Sequence, residues 1–190
     1  MPIKLVVGLR NPGHAYEGTR HNAGAWFVDA WSEISREVFH IEKKFQTELS
    51  SMSLANGACL VALPLTFMNH SGQVVRSLSQ FYRILPEEIL VVHDELDFAA
   101  GSIKLKSGGG HGGHNGLRDI ITQIGSADFH RLRVGIGHPG HKSEVHNYVL
   151  SKPSPDDRQK ITNAIQQAIK IMPILLEGRV GDAMTELNKG

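Results

Sequence analysis

The sequence predicts an α/β fold, a single domain over residues 1–190 with a mixed β-sheet covered by helices. Three observations predict it. Short apolar, β-branched runs alternate with longer segments whose apolar residues recur every three or four positions. The dipeptide Asn56-Gly57 separates two strand-like runs and favours a tight hairpin, so the sheet is not purely parallel. No repeat, low-complexity tract or linker divides the chain, and its length suits one compact domain.

Ile3–Leu9 reads as a buried strand, ended by the turn residues Asn11-Pro12-Gly13. Asn22 to about Arg36 reads as a helix with Trp26, Phe27, Ala30, Trp31 and Ile34 along one face. Thr47–Ala55 and Cys59–Leu63 are strands on either side of the Asn56-Gly57 turn. Helical spacing returns from Gly72 to Tyr82 through Val74, Val75, Leu78 and Phe81. Ile89–His93 and Ser102–Lys106 are further strands. Leu117, Ile120, Ile121 and Ile124 form a helix stripe that Gly125 stops. Leu132, Val134 and Ile136 alternate as in a half-buried strand. Ser154-Pro155-Asp156-Asp157 opens a helix, with an N-cap, a first-turn proline and an acid at the third position. That helix is expected to run through Ile161, Ile165, Ile169 and Met172 to a break at Pro173, followed by a short one around Asp182–Leu187.

Composition excludes several classes. The apolar fraction is 41% and the charged fraction 21%, ordinary for a folded globule and wrong for a disordered chain. No apolar stretch approaches the roughly 18 residues of a membrane helix. Met1–Leu9 lacks the length and cleavage site of a signal peptide. Cys59 is the sole cysteine, so no internal disulfide can form, and its apolar surroundings suggest a quiet buried thiol. A cytoplasmic protein is expected. Net charge is only +1, but Gly101–Lys142 holds six basic residues (Lys104, Lys106, Arg118, Arg131, Arg133, Lys142) against Asp119 and Asp128, with five histidines. Such a stretch either faces a polyanion or is a solvated basic surface.

In open α/β sheets, ligands bind beyond the carboxyl ends of the strands. Asn11, then His21 and Asn22, follow the first strand; Phe67-Met68-Asn69 follows the hairpin; Asp94 follows Ile89–His93; a glycine run from Gly108 to Gly116 carries His111, His114 and Asn115 into a helix. A histidine can take a proton from water near neutral pH, a carboxylate behind it sets its tautomer, and amides can donate to an oxyanion. Together these residues suit water-mediated acyl transfer without a protein nucleophile. Singly, each has a plainer reading: Asn11 a turn residue, Asn69 and Asn115 helix caps, His21 a core histidine, Asp94 a loop cap. Neither a nucleotide-binding loop nor a Gly-x-Ser-x-Gly elbow is present. A metal-dependent hydrolase built on His111 and His114 is a rival, although no matching carboxylate or cysteine set accompanies the pair.

Asn11-Pro12-Gly13 through Thr19-Arg20-His21-Asn22-Ala23-Gly24 resembles the first signature of bacterial peptidyl-tRNA hydrolases. Pro64–Gly72 resembles the second, His93-Asp94-Glu95-Leu96-Asp97 the third, Gly108–Leu117 the fourth, and Arg131–Pro139 completes the set. The resemblance covers Val7 to about Leu150. It implies a single α/β domain with a twisted mixed sheet, and an esterase that cleaves peptide from the 3′-terminal ribose of tRNA without metal or organic cofactor. It further implies His21 as general base and Asp94 as its orienting acid. Asn11 and Asn69 would steady the oxyanion, and Asn115 would hold the water or the peptide. Tyr16, Phe67, Met68 and His114 would line the cleft, and Lys104, Lys106 and Arg133 would contact the acceptor end of tRNA. The partner implied is peptidyl-tRNA, with no membrane, and a monomer is expected. Ala99-Ala100 departs from the paired prolines frequent in the family, leaving the loop less stiff. An RNA-binding module of related fold that no longer cleaves is the competing reading.

Overall fold

A computed structural model describes residues 1–189. Seven strands form one sheet: β1 (Leu5–Gly8), β2 (His40–Glu42), β3 (Thr47–Leu54), β4 (Gly57–Pro64), β5 (Ile89–Glu95), β6 (Ile103–Ser107) and β7 (His130–Gly135). Their order is β2-β3-β4-β1-β5-β7-β6. β4, β1, β5 and β7 run parallel, while β2, β3 and β6 are antiparallel to their neighbours. The sheet is thus mixed, as the hairpin required.

Both faces of the central strands are buried, which is why they read as unbroken apolar runs. Alternation splits them between two cores. Val6, Val61, Leu90, Val92, Leu132 and Val134 pack on one side with α1 (Ala23–Ser35), α5 (Pro155–Ile169), α6 (Met172–Leu176) and α7 (Val180–Leu187). Leu5, Val7, Leu60, Ala62 and Val91 pack on the other with α2 (Ser71–Tyr82) and α3 (Asn115–Ile124). A short helix, α4 (Val145–Val149), follows β7.

Several boundaries differ from expectation. The hairpin turn is Ala55-Asn56, and Gly57 opens β4 opposite Leu54 while taking the positive φ of 125°. β5 continues through Asp94 and Glu95, because both pair with β7. Pro173 ends no helix: α5 stops at Ile169, short of the expected Met172, which instead opens α6. Pro173 lies in the first turn of α6, where its missing N–H costs nothing. The buried stripe of α1 stops at Trp31; Ile34, one turn further, is 60% exposed. Phe81 is 56% exposed and stacks on Phe45 and Tyr82 at the surface instead of entering the core. β2 and α4 have no sequence signature, since β2 is exposed throughout and α4 is barely longer than one turn. Ser154 caps α5 through Asp157 N–H, as its sequence indicates.

One close approach positions the site. A Cβ on Gly24 would lie 2.1 Å from the Val92 carbonyl oxygen. Glycine at the start of α1 therefore lets the helix meet β5, so that His21, just before the helix, reaches Asp94 on the strand.

Candidate active site

A cleft of about 680 Å³ opens at the carboxyl ends of β1, β4 and β5. Asn11, His21, Phe67, Met68, Asn69, Asp94, His114 and Asn115 all line it. Four separate chain segments thus deliver the predicted residues to one place.

Asp94 is at its centre and is 3% exposed. His21 Nδ1 lies 3.0 Å from both carboxylate oxygens. His114 Nε2 lies 2.7 Å from Oδ1. His114 also caps α3: its Nδ1 accepts from Gly116 N–H at 3.1 Å and from Leu117 N–H at 3.3 Å. A backbone N–H can only donate, so Nδ1 is unprotonated and Nε2–H donates to Asp94. With its Nδ1 bound to the carboxylate, His21 has Nε2 left for the cleft. Burial, the largest single influence, disfavours the His21 imidazolium, but the charge and hydrogen bond of Asp94 together outweigh it, so its pKa rises. Burial alone would raise Asp94; the two imidazoles His21 and His114 instead hold it well below the usual carboxylate range.

The asparagines are held differently. Asn11 Oδ1 accepts from Met68 N–H at 2.7 Å, so Nδ2 is the end it presents. Its backbone is clamped by Asn22, whose Oδ1 accepts from Asn11 N–H at 2.9 Å and whose Nδ2 donates to Asn11 O at 3.0 Å. Asn69 is exposed on the turn before α2 and makes no side-chain hydrogen bond among the described residues. Asn115, the first residue of α3, accepts from Arg118 at 3.2 Å. Met68 is 3% exposed and Phe67 54%. Tyr16 does not line the cleft; it meets Phe67 edge-on at 6.1 Å between centroids, at the mouth.

Lys104, Lys106 and Arg133 lie outside the cleft. Lys104 pairs with Arg133 across β6 and β7, and Lys106 with Arg131, so alternation puts all four on one face. Lys104 and Arg133 approach the Phe98 ring at 4.9 and 4.8 Å. Arg131 differs from its neighbours: it is 2% exposed, and its guanidinium donates to the carbonyls of Gly109, Gly110 and Ala127. It fastens the glycine run to the sheet.

One oxygen or nitrogen each from His21, Asp94 and His114 falls within 4.8 Å of the others, the only such group of potential metal ligands among the described residues. His111 is not in it. The Nδ1 atoms of both His111 and His114 accept backbone N–H groups, and His114 Nε2 is spent on Asp94. The hydrogen bonds of the group fit proton transfer.

A family model described as peptidyl-tRNA hydrolase matches residues 5–190. The chain belongs to the peptidyl-tRNA hydrolase family. The peptidyl-tRNA hydrolase of Legionella pneumophila strain Paris is 62% identical over 188 residues, covering 99% of this chain and 100% of the relative. That of Neisseria meningitidis serogroup A is 52% identical, covering 95% and 94%. The crystal structure of peptidyl-tRNA hydrolase from Acinetobacter baumannii superposes with a TM-score of 0.94 at 46% identity, covering 98% of this chain and 94% of that one.

Three features within this family frame were not legible as site features from sequence. Asn22 as the clamp on Asn11, His114 as a second donor to Asp94, and Arg131 as the anchor of the glycine run all depend on contacts between distant segments. A partial signal existed only for His114: the sequence offers its neighbour Asn115 as the helix cap, and the structure gives the cap to His114 instead.

Proposed function

We propose that this chain hydrolyses the ester between a peptide and the 3′-terminal ribose of tRNA. The observation that carries the reading is the buried Asp94–His21 pair facing a cleft bordered by Asn11 and Asn69. His21 Nε2 takes a proton from water, which attacks the ester carbonyl. Asp94 holds the tautomer and stabilises the imidazolium. Asn11 Nδ2 and the Asn69 amide donate to the tetrahedral oxyanion. The imidazolium then returns the proton to the departing ribose oxygen, freeing tRNA and the peptide acid.

In this reading Asn115 holds water or peptide, with Met68 and His114 as walls. The exposed Phe67, backed by Tyr16, offers an aromatic surface for the terminal adenosine. Lys104, Lys106 and Arg133 meet acceptor-stem phosphates; their shared face supports this. We further place the protein in the cytoplasm as a monomer working without metal or cofactor. The lone cysteine suits that compartment: burial, with a smaller influence from Glu37, pushes the Cys59 thiol up to about 12. No helix among the described residues is long and apolar enough to cross a membrane.

The test is cleavage of N-acetyl-aminoacyl-tRNA beside an aminoacyl-tRNA with a free amine, with chelator present. Fast cleavage of the first and little of the second is expected. His21→Ala should lower the rate by about two to four orders of magnitude. A folded protein that binds tRNA and cleaves neither substrate would favour the RNA-binding module.

A further inference from the structure

Three histidines of the cleft share one backbone device. His111 Nδ1 accepts from Gly113 N–H at 2.9 Å, His138 Nδ1 from Gly140 N–H at 2.9 Å, and His114 Nδ1 from Gly116 N–H at 3.1 Å. Each is a His-x-Gly step in which the ring folds back on the amide two residues ahead. An amide N–H only donates, so all three rings carry their hydrogen on Nε2. His93, which also lines the cleft, is the opposite case, since its Nδ1 donates to the Asp94 carbonyl. His114 spends its Nε2–H on Asp94. His111 and the exposed His138 also line the cleft, and the Nε2–H of each has no hydrogen-bond acceptor among the described residues.

Both rings sit on braced backbone. Arg131 grips the carbonyls of Gly109 and Gly110, the two residues before His111. Tyr148 Oη donates to the Ile136 carbonyl at 2.7 Å, two residues before His138. Donors held in one tautomer on a fixed backbone are prepared to bind an acceptor with little ordering cost.

We propose that His111 and His138 form a subsite for the peptide part of the substrate, each donating Nε2–H to a main-chain carbonyl oxygen. The proposal rests on the esterase reading above. The cleft favours peptide over phosphate. Its lining carries Asp94, Glu95 and Asp97 against the single ammonium of Lys142, so a phosphate would meet more negative than positive charge. Leu96, Val145 and Val149 supply apolar wall for side chains. The strip of Lys104, Lys106 and Arg133 lies elsewhere, on the sheet face.

Two substrates separate the possibilities: N-acetyl-aminoacyl-tRNA and N-acetyl-tripeptidyl-tRNA bearing the same tRNA. His111→Leu and His138→Leu should each lower the ratio of kcat/KM for the long substrate over the short by about five-fold, the loss expected for one hydrogen bond to a neutral acceptor. His138→Gln keeps an N–H donor at similar reach and should restore most of that ratio. An equal loss on both substrates, or no loss on either, overturns the subsite. Wild-type protein that cleaves neither substrate would instead refute the esterase reading beneath it. Nitrogen-15 spectra of the wild-type histidine rings give a readout independent of variant folding. They should show the Nε2–H tautomer at positions 111 and 138, and Nδ1–H at either would overturn the proposal.

Discussion

Replacing Asp94 by asparagine probes the centre of the site with almost no change of shape. The carboxylate accepts from two imidazoles, His114 on Oδ1 at 2.7 Å and His21 across both oxygens at 3.0 Å. An asparagine offers one acceptor and one donor. His114 cannot adapt, because its Nδ1 is committed to the Gly116 and Leu117 amides, so its Nε2–H claims the amide oxygen. The Asn Nδ2 then faces His21 Nδ1 and drives its hydrogen to Nε2, where no lone pair remains to accept a proton from water. Loss of a charge-assisted hydrogen bond alone accounts for about 1.5–3 kcal/mol, roughly 10- to 150-fold. The wrong tautomer should bring the total to about four orders of magnitude in kcat. The same logic predicts partial rescue. In Asp94→Asn/His114→Asn the second asparagine can still cap α3 but is too short to compete for the amide oxygen, which His21 recovers. The double variant should turn over about ten-fold faster than Asp94→Asn, a coupling within the range for residues in one network. Single-turnover cleavage of N-acetyl-aminoacyl-tRNA measures both effects. Activity of Asp94→Asn within ten-fold of wild type, or a double variant no faster than Asp94→Asn, would refute the reasoning.

The remaining predictions concern pH, salt and packing. Protonated His21 cannot act as a base, so kcat/KM falls as pH drops through its pKa; since Asp94 raises that pKa, the acid limb should lie above the ordinary histidine value of about 6.5. A limb below that value in a pH–rate profile would contradict the ion-pair geometry. Neutralising Lys106 or Arg133 should weaken binding of full-length peptidyl-tRNA and reduce the salt dependence of its affinity by about one phosphate contact each. A peptidyl ester of a short 3′ fragment should suffer less, and equal losses would remove these residues from the phosphate role. Gly24→Ala places a methyl against the Val92 carbonyl and must push α1 from β5. A cost of about 3 kcal/mol corresponds to a Tm roughly 6–12 °C lower, with activity falling because His21 moves with the helix; an unchanged Tm would show that the contact yields.

Local chemistry carries far in this chain. Apolar runs such as Leu5–Gly8 and Ile89–Val92 announce buried strands, because a strand covered on both faces has no polar side to show. Ser154 before Pro155 announces a helix start, because its cap bond closes within four residues. Asn11, His21, Asn69 and Asp94 can be singled out because each follows or ends such an element, where α/β sheets gather their ligands, and the signature motifs sharpen that reading. Elements without local signal, β2 and α4, form only because neighbours pair with them or support them. The tertiary structure alone decides that His114 turns from a cleft wall into a second donor on Asp94, that Asn22 clamps Asn11, and that Arg131 leaves the basic strip to hold the glycine run. Each outcome depends on which donor meets which acceptor across tens of residues. Hydrogen bonds are short-ranged and directional, so that choice exists only once the sheet order has brought the strand ends together.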